Sequence, residues 1–483
     1  MADRQTGSVL ENSPIGQGDD MTDTAPDMFA EMRAAGERGR QPKKPKGSVP
    51  RLVQERPKAK WKEALTLILP AFALLGLVAQ VSFPAAGLLY ICFYMFLTFA
   101  RPQFALLLVF ALAPFVQDIS IGGPFHVSIG ELSLVLTLPA FALTSLGRFR
   151  PPIILWLSVL YVVVCAGCSV VNMDVSAITP LLQMLIYLIF AIAVFSAFLK
   201  DPSKFGMILD GALGMMAILA VLCIVTNFTF LGMNKNAWGA GMSGGVIIGM
   251  ELWLGCSNKR RKRWLFAALG VLVACLILTL SRGGWLAAMM GTLVLLGLRR
   301  QFKLFLKLLV LLVPLIVGMW FLLPAQDRDY AAGFSKQRWN IRARYETIDN
   351  AMQQFKAHPL FGVGLGYRKD VDATNIVMIS LAESGVLGFG AFIALHLGLI
   401  GMAWKLQKKV RRDSPLFAPV ALAAALPFAR LTHGLVDHYW SRGPLLQAWA
   451  AVGMAVAVGA YMRKNPSGAA AARVNKSSGR PTQ

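Results

Sequence analysis

Charge is scarce in this sequence. Only 15% of its 483 residues are charged while 56% are hydrophobic, and a mean hydropathy of +0.56 excludes a soluble globular protein. Acids are scarcer still, with 25 Asp and Glu against 48 Lys and Arg for a net charge of +23. That excess does not point to nucleic acid, which needs a basic face on a folded soluble domain; here the cations lie in an N-terminal tail and in short loops between apolar runs. The six cysteines (Cys92, Cys165, Cys168, Cys223, Cys256, Cys275) all fall within or at the ends of apolar runs, so a disulfide framework is not expected. Cys165-Ala166-Gly167-Cys168 has the spacing of half a zinc site but lacks a second pair or a nearby histidine, and it reads as small-residue helix packing. No cleavable signal peptide precedes the first long run, so that run is expected to serve as the insertion signal.

What is present is a series of apolar runs, at residues 64–80, 85–99, 104–116, 132–146, 153–171, 178–199, 207–230, 237–256, 264–280, 285–298, 304–323, 376–404, 417–432 and 445–461. They predict an all-α polytopic integral membrane protein with about fourteen transmembrane helices, of which those at 104–116 and 285–298 are short. The expected organisation is a disordered basic cytoplasmic tail at 1–62, transmembrane helices 1 to 11 over 63–323 and an extracytoplasmic functional loop over 324–375. Helices 12 to 14 follow over 376–463, and a second disordered cytoplasmic tail over 464–483. The basic end of the first tail, Lys43 to Lys62, is expected against anionic membrane lipids. Threading the chain with its N-terminus inside places Arg101, Arg148, Arg150, Lys200, Lys204, the 259–263 cluster, Arg299, Arg300, Lys303, the 405–412 cluster, Arg463 and Lys464 on the cytoplasmic side, with both termini cytoplasmic.

One connection on the opposite side breaks the charge rule. The loop from Pro324 to Thr374, on the order of 50 residues, carries Arg328, Lys336, Arg338, Arg342, Arg344, Lys356, Arg368 and Lys369. Its middle, 339–355, has apolar residues at helical spacing and predicts an amphipathic surface helix, broken by His358-Pro359-Leu360-Phe361-Gly362-Val363-Gly364-Leu365-Gly366. On the same side Arg282 is wedged between two apolar runs, where an ionisable group is by default a functional candidate.

Arginines clustered there suit a phosphate or pyrophosphate, because guanidinium stays charged and forks onto phosphate oxygens. Arg282 and Arg344 are the leading candidates, followed by Arg338, Arg342 and Lys235. The Gly362 to Gly366 stretch follows no strand, so it is not a dinucleotide fingerprint. Asp327-Arg328-Asp329 has a spacing some glycosyltransferases use to hold metal, an alternative weakened by the arginine between the acids. General-base candidates are His433, Asp437, His438, Asp370, Asp372 and Glu383. The clustered His433, Asp437 and His438 read as a hydrogen-bonded network in preference to a metal site. Glu251 and Glu383 lie inside apolar runs and each needs a partner; for Glu383 the expected one is Arg282.

Together these pieces resemble the O-antigen ligase and polymerase superfamily of bacterial membrane glycosyltransferases. The resemblance is carried by Asn234-Lys235-Asn236-Ala237-Trp238-Gly239, Ser281-Arg282-Gly283-Gly284-Trp285, Arg344 through Gly366, and Glu383-Ser384-Gly385-Val386-Leu387-Gly388. It implies a GT-C-like fold in the bacterial inner membrane and cofactor-free, metal-independent transfer of a glycan from an undecaprenyl-pyrophosphate carrier on the outer face. A flippase and a chain-length regulator are the implied protein partners. It further implies that Arg282, Arg338, Arg342, Arg344, Lys235, Asn236, Asn375 and Glu383 hold pyrophosphate or glycan, with Arg282 and Arg344 catalytic. Ligases of the family carry His-Asn where this chain has Thr374-Asn375. The base then falls to His433, His438 or Asp372, or the reaction relies on leaving-group stabilisation, and the substitution favours a polymerase of exopolysaccharide or O-antigen repeats over a ligase. A lipid-linked sugar transporter is the reading from another class, disfavoured because no paired repeat is visible and the charges cluster on one face.

Overall fold

The computed structural model describes residues 58–114, 118–120, 126–201, 203–229, 233–322, 339–370, 374–440 and 442–465. In chain order the helices are α1 (Lys58–Val81), α2 (Phe83–Ala100), α3 (Pro102–Leu112), α4 (Ile129–Thr144), α5 (Ile153–Val171), α6 (Ile178 to Phe198, with a π-helical middle), α7 (Ser203–Val225), α8 (Lys235–Leu254), α9 (Lys259–Leu278), α10 (Arg282–Arg299) and α11 (Phe302–Leu322). The predicted surface helix follows as α12 (Trp339–Ala357), then α13 (Tyr367–Asp370), α14 (Ile376–Lys409), α15 (Phe417–Gly434) and α16 (Arg442–Lys464). The fold is all-α as expected, and beside the helices a two-stranded antiparallel hairpin, Asp118–Ser120 with His126–Ser128, sits in the connection before α4. Ser128 then caps α4 in a capping box with Glu131, which converts strand to helix within one residue.

Among the described residues six helices are long and apolar enough to cross a membrane: Phe83–Ala100, Ile153–Val171, Val175–Phe198, Ser203–Val225, Ile376–Lys409 and Gly443–Lys464. Shorter apolar helices are Thr66–Val81, Pro102–Leu112 and Ile129–Thr144. Large apolar side chains such as Leu77, Val81, Phe83, Ile153, Trp264 and Phe321 are exposed on their outer faces, a distribution stable only against lipid. The protein is a multi-pass membrane protein. Its centre is α16, which packs on α6, α14 and α15 and buries Trp449 and Gln447. The Gln447 amide donates to the Phe110 carbonyl of α3, so the polar group at the centre is satisfied within the bundle.

The two ends of the bundle differ in how their charges are managed. At one end Arg299, closing α10, forks onto Glu251 of α8, donates to the Arg412 carbonyl and lies 4.9 Å over the Phe417 ring. Glu251 is fully buried, and this bidentate pairing supplies the partner its position in an apolar run demanded. At the other end the N-termini of α8, α10 and α14 meet the C-terminus of α15. That end holds the candidate site.

Candidate functional site

Two helix N-termini cross at van der Waals distance because neither carries a side chain at the crossing. A Cβ on Gly284 of α10 would come within 2.8 Å of the Gly239 carbonyl on α8, and one on Gly239 would strike Ser281. Asn234 caps α8 by accepting from the Ala237 amide, and Ser281 caps α10 by accepting from the Gly284 amide. The turn into α10 is tight: Leu280 adopts φ 55°, a left-handed conformation unusual for a branched side chain, while the Trp285 indole donates to the Leu276 carbonyl at 2.8 Å and clamps the turn. The first residues of the two helices are Lys235 and Arg282. A helix N-terminus carries roughly half a positive charge and favours acids, so a cation at each opposes the helix dipole. Backbone N–H groups and side-chain cations of this kind act together on an anion.

The Gly-rich stretch after α12 is threaded through a break in α14. Gly385 sits at φ 58°, ψ −162° inside that helix, a region essentially restricted to glycine. The break frees helix carbonyls and amides, and the stretch satisfies them: the Val363 and Gly364 amides donate to the Ala382 and Glu383 carbonyls at 2.8 and 2.9 Å, and the Val386 and Leu387 amides donate to the Pro359 and Leu360 carbonyls at 2.9 and 3.4 Å. Irregular backbone at this depth persists only when protein groups replace the lost helical bonds. Gly362 has φ 68°, and a Cβ there would overlap the Ala382 to Ser384 backbone. From α5 the Asn172 amide donates to the Gly362 carbonyl, and the Ser169 hydroxyl accepts from the Leu365 amide. Asp174, just beyond α5, accepts from the Gly366 amide.

Glu383 lies at this crossing and is fully buried, but its partner is not the expected Arg282. Arg368 of α13 forks onto the carboxylate and its backbone amide also donates to it at 3.0 Å, while the guanidinium lies 4.5 Å from the Trp440 ring. Burial alone would lower the Arg368 guanidinium, but the charge and hydrogen bonds of Glu383 outweigh it and raise it above its ordinary value. Glu383 therefore pins the loop to α14, and the carboxylate expected to hold substrate is engaged in a structural ion pair. The physical reason is proximity: Arg368 lies in the segment that the break in α14 draws onto Glu383, whereas Arg282 heads a different helix.

Beside Gly283 lies His433, near the end of α15. A Cβ on Gly283 would fall 3.1 Å from the His433 Nε2. The imidazole is 2% exposed. Arg430, one turn earlier, places its Nη1 3.1 Å from His433 Nδ1 and donates from Nη2 to the His438 and Tyr439 carbonyls at 2.8 Å. Asp437 accepts from the His438 amide. Arg430 thus links His433 to the His438 carbonyl, and among the described residues no group of three or more His, Cys, Asp or Glu is placed to hold a metal ion. The charge of Arg344 on α12 also reaches the His433 ring.

The expected residues thus divide. Arg282, Arg344, Lys235 and His433 lie at this end of the bundle, Arg282 and Arg344 half-buried. Asn236 is exposed in the first turn of α8, and His438 is exposed beyond α15. Asn375 has both ends of its amide occupied: Oδ1 caps α14 at the Val377 and Met378 amides, and Nδ2 donates to the Leu435 carbonyl. Arg342 forms an exposed i,i+4 pair with Glu346. Arg338, Asp372, Asp327 and Asp329 lie outside the described residues. Thr374 is buried. The Cys165 and Cys168 thiols line the α5 face against α14, Cys168 donating to the Ser384 carbonyl, as helix packing predicts. Sequence reasoning missed Arg430 and the pairing of Arg368 with Glu383. The signals were an arginine inside an apolar run three residues before a histidine, and a loop cation close in sequence to an unpartnered buried acid.

Residues 265–393 match the family model described as O-Antigen ligase. The match spans the Ser281 turn, α12, the threaded Gly-rich stretch and the broken first half of α14, and so supports the superfamily resemblance on the segments that build this end of the bundle. It stops before Arg430 and His433. No curated protein matches the chain.

Proposed function

From a chain whose residues 265–393 carry an O-antigen ligase domain, we infer a glycosyltransferase that polymerises undecaprenyl-pyrophosphate-linked oligosaccharide repeats on the outer face of the inner membrane. In this reading about fourteen helices cross the membrane in a GT-C-like bundle, with both termini cytoplasmic. The carrying observation is the Gly239–Gly284 crossing, which brings together two helix N-termini whose first residues are the cations Lys235 and Arg282, with Arg344 within electrostatic reach of the adjoining His433. Such an arrangement suits a pyrophosphate that gains charge as it leaves. The acceptor hydroxyl oxygen bonds to the anomeric carbon while the carbon–oxygen bond to pyrophosphate breaks. The electron pair departs with the pyrophosphate, and the hydroxyl proton passes to solvent or to a phosphate oxygen. Cations aimed at the leaving group lower the barrier without a metal, since only interactions stronger in the transition state accelerate the step.

Thr374 in place of the ligases' histidine favours repeat polymerisation. The test is to give the purified protein a short lipid-linked repeat. Ladders growing without any other acceptor support polymerisation, whereas strict dependence on a second lipid or protein acceptor makes it a ligase. Movement of intact lipid-linked glycan across a vesicle membrane with no transfer makes it a transporter.

A further inference from the structure

The hydrogen bonding around His433 restricts what that residue can contribute. A guanidinium has donors and no acceptor. With Arg430 Nη1 at 3.1 Å, the Nδ1 lone pair of His433 is the acceptor, and the imidazole proton must sit on Nε2. The His438 carbonyl, which accepts from Arg430 Nη2 at 2.8 Å, also lies within interaction distance of the ring. Nε2 is buried with no protein partner, and the first turn of α10 at Gly283 lies against it. A buried donor left unmade costs about 1–3 kcal/mol. This one is aimed at a helix N-terminus headed by a half-buried arginine, where an anionic oxygen is the partner it lacks.

We propose that Arg430 is a positioning residue that holds His433 in its Nε2–H form, so that His433 donates a hydrogen bond to the leaving pyrophosphate at the α10 N-terminus and does not serve as the general base. The proposal rests on the glycosyl-transfer reading for the identity of the anion, but not for the state of the ring. The titratable and charged groups that reach the His433 ring are Arg430 and His438 from its own segment and Arg344 from α12. The two arginines oppose a second proton on the ring. The role expected for His433 from its residue type alone, a base for the acceptor hydroxyl, needs an unprotonated nitrogen facing substrate. In this geometry the unprotonated nitrogen faces Arg430.

Two measurements test this separately. Solid-state nitrogen NMR of histidine-labelled protein in lipid, with the His433 resonances assigned by their loss in His433→Gln, is expected to show Nδ1 bare and Nε2 protonated near neutral pH, and Arg430→Gln is expected to mix the two tautomers. A proton on Nδ1 in the unmodified protein overturns the proposal whatever the protein does to glycans. In the transfer assay His433→Gln, whose amide reaches the Nε2 position with a donor, should retain turnover within about tenfold, while the donorless His433→Leu should lose about 10²-fold. Equal, deep losses in both, together with a rate that falls as pH drops through the histidine range, mean that His433 is the base. If Arg282→Ala also leaves transfer intact, the glycosyl-transfer site itself is misplaced, an outcome the NMR arm does not share.

Discussion

Replacing Gly385 with alanine attacks a backbone position that lets the loop and the helix pack in direct contact. The residue lies at φ 58°, ψ −162°, where an L side chain costs about 1–3 kcal/mol. The new Cβ would also overlap the Leu360 carbonyl and approach the Phe361 amide nitrogen to 2.7 Å. Both neighbours are backbone and cannot rotate away, so the loop must lift and break the Val386–Pro359 and Leu387–Leu360 hydrogen bonds, at about 0.5–1.5 kcal/mol each. Together these give a loss of about 2–6 kcal/mol. A control lies in the same helix: a Cβ on Gly401 meets nothing within 4 Å, and Gly401→Ala should be neutral or stabilising by up to about 1 kcal/mol. Intrinsic tryptophan fluorescence on heating, in one detergent and at matched concentration, compares the two with the unmodified protein. The expected result is a melting point clearly lowered for Gly385→Ala, or no folded yield, beside an unchanged or raised one for Gly401→Ala. Indistinguishable melting of the two variants would refute the threaded-loop account.

Arg282→Ala and Arg344→Ala should each reduce glycan transfer by about 10²–10³-fold with membrane insertion intact, whereas Arg342→Ala, whose exposed pair with Glu346 is worth about 0–1 kcal/mol, should stay near normal; initial rates with a defined lipid-linked repeat check all three. Glu383→Leu leaves the buried Arg368 charge unpaired and should destabilise by about 3–5 kcal/mol, and the double variant with Arg368→Met should recover part of that loss. A double-mutant cycle on detergent unfolding measures the recovery, and strict additivity would remove the ion pair from the structure's support. Treatment with EDTA should leave transfer unchanged; a loss restored by added divalent metal would bring Asp327 and Asp329 back into the mechanism.

Much of the site was legible because its glycines and cations are unusual for where they fall in the chain. Arg282 stood out as a charge between two apolar runs, and the Gly362 to Gly366 stretch as a break after an amphipathic helix. The roles inside the site were less legible. Asn375 looks like a ligand and is a helix cap, and Arg430, which orders the His433 network, drew no notice inside its apolar run.

The sequence by itself determined the membrane class, the surface helix α12 and the basic character of the Arg282 turn, because hydropathy, helical period and local charge are properties of neighbouring residues. Only the tertiary structure decided which cation neutralises Glu383, which nitrogen of His433 accepts from Arg430, and that Gly239 and Gly284 bring two helix N-termini together. These are choices among several chemically equivalent partners. They are settled by how loops and helices pack, and for Gly239 and Gly284, far apart in the chain, no local signal exists.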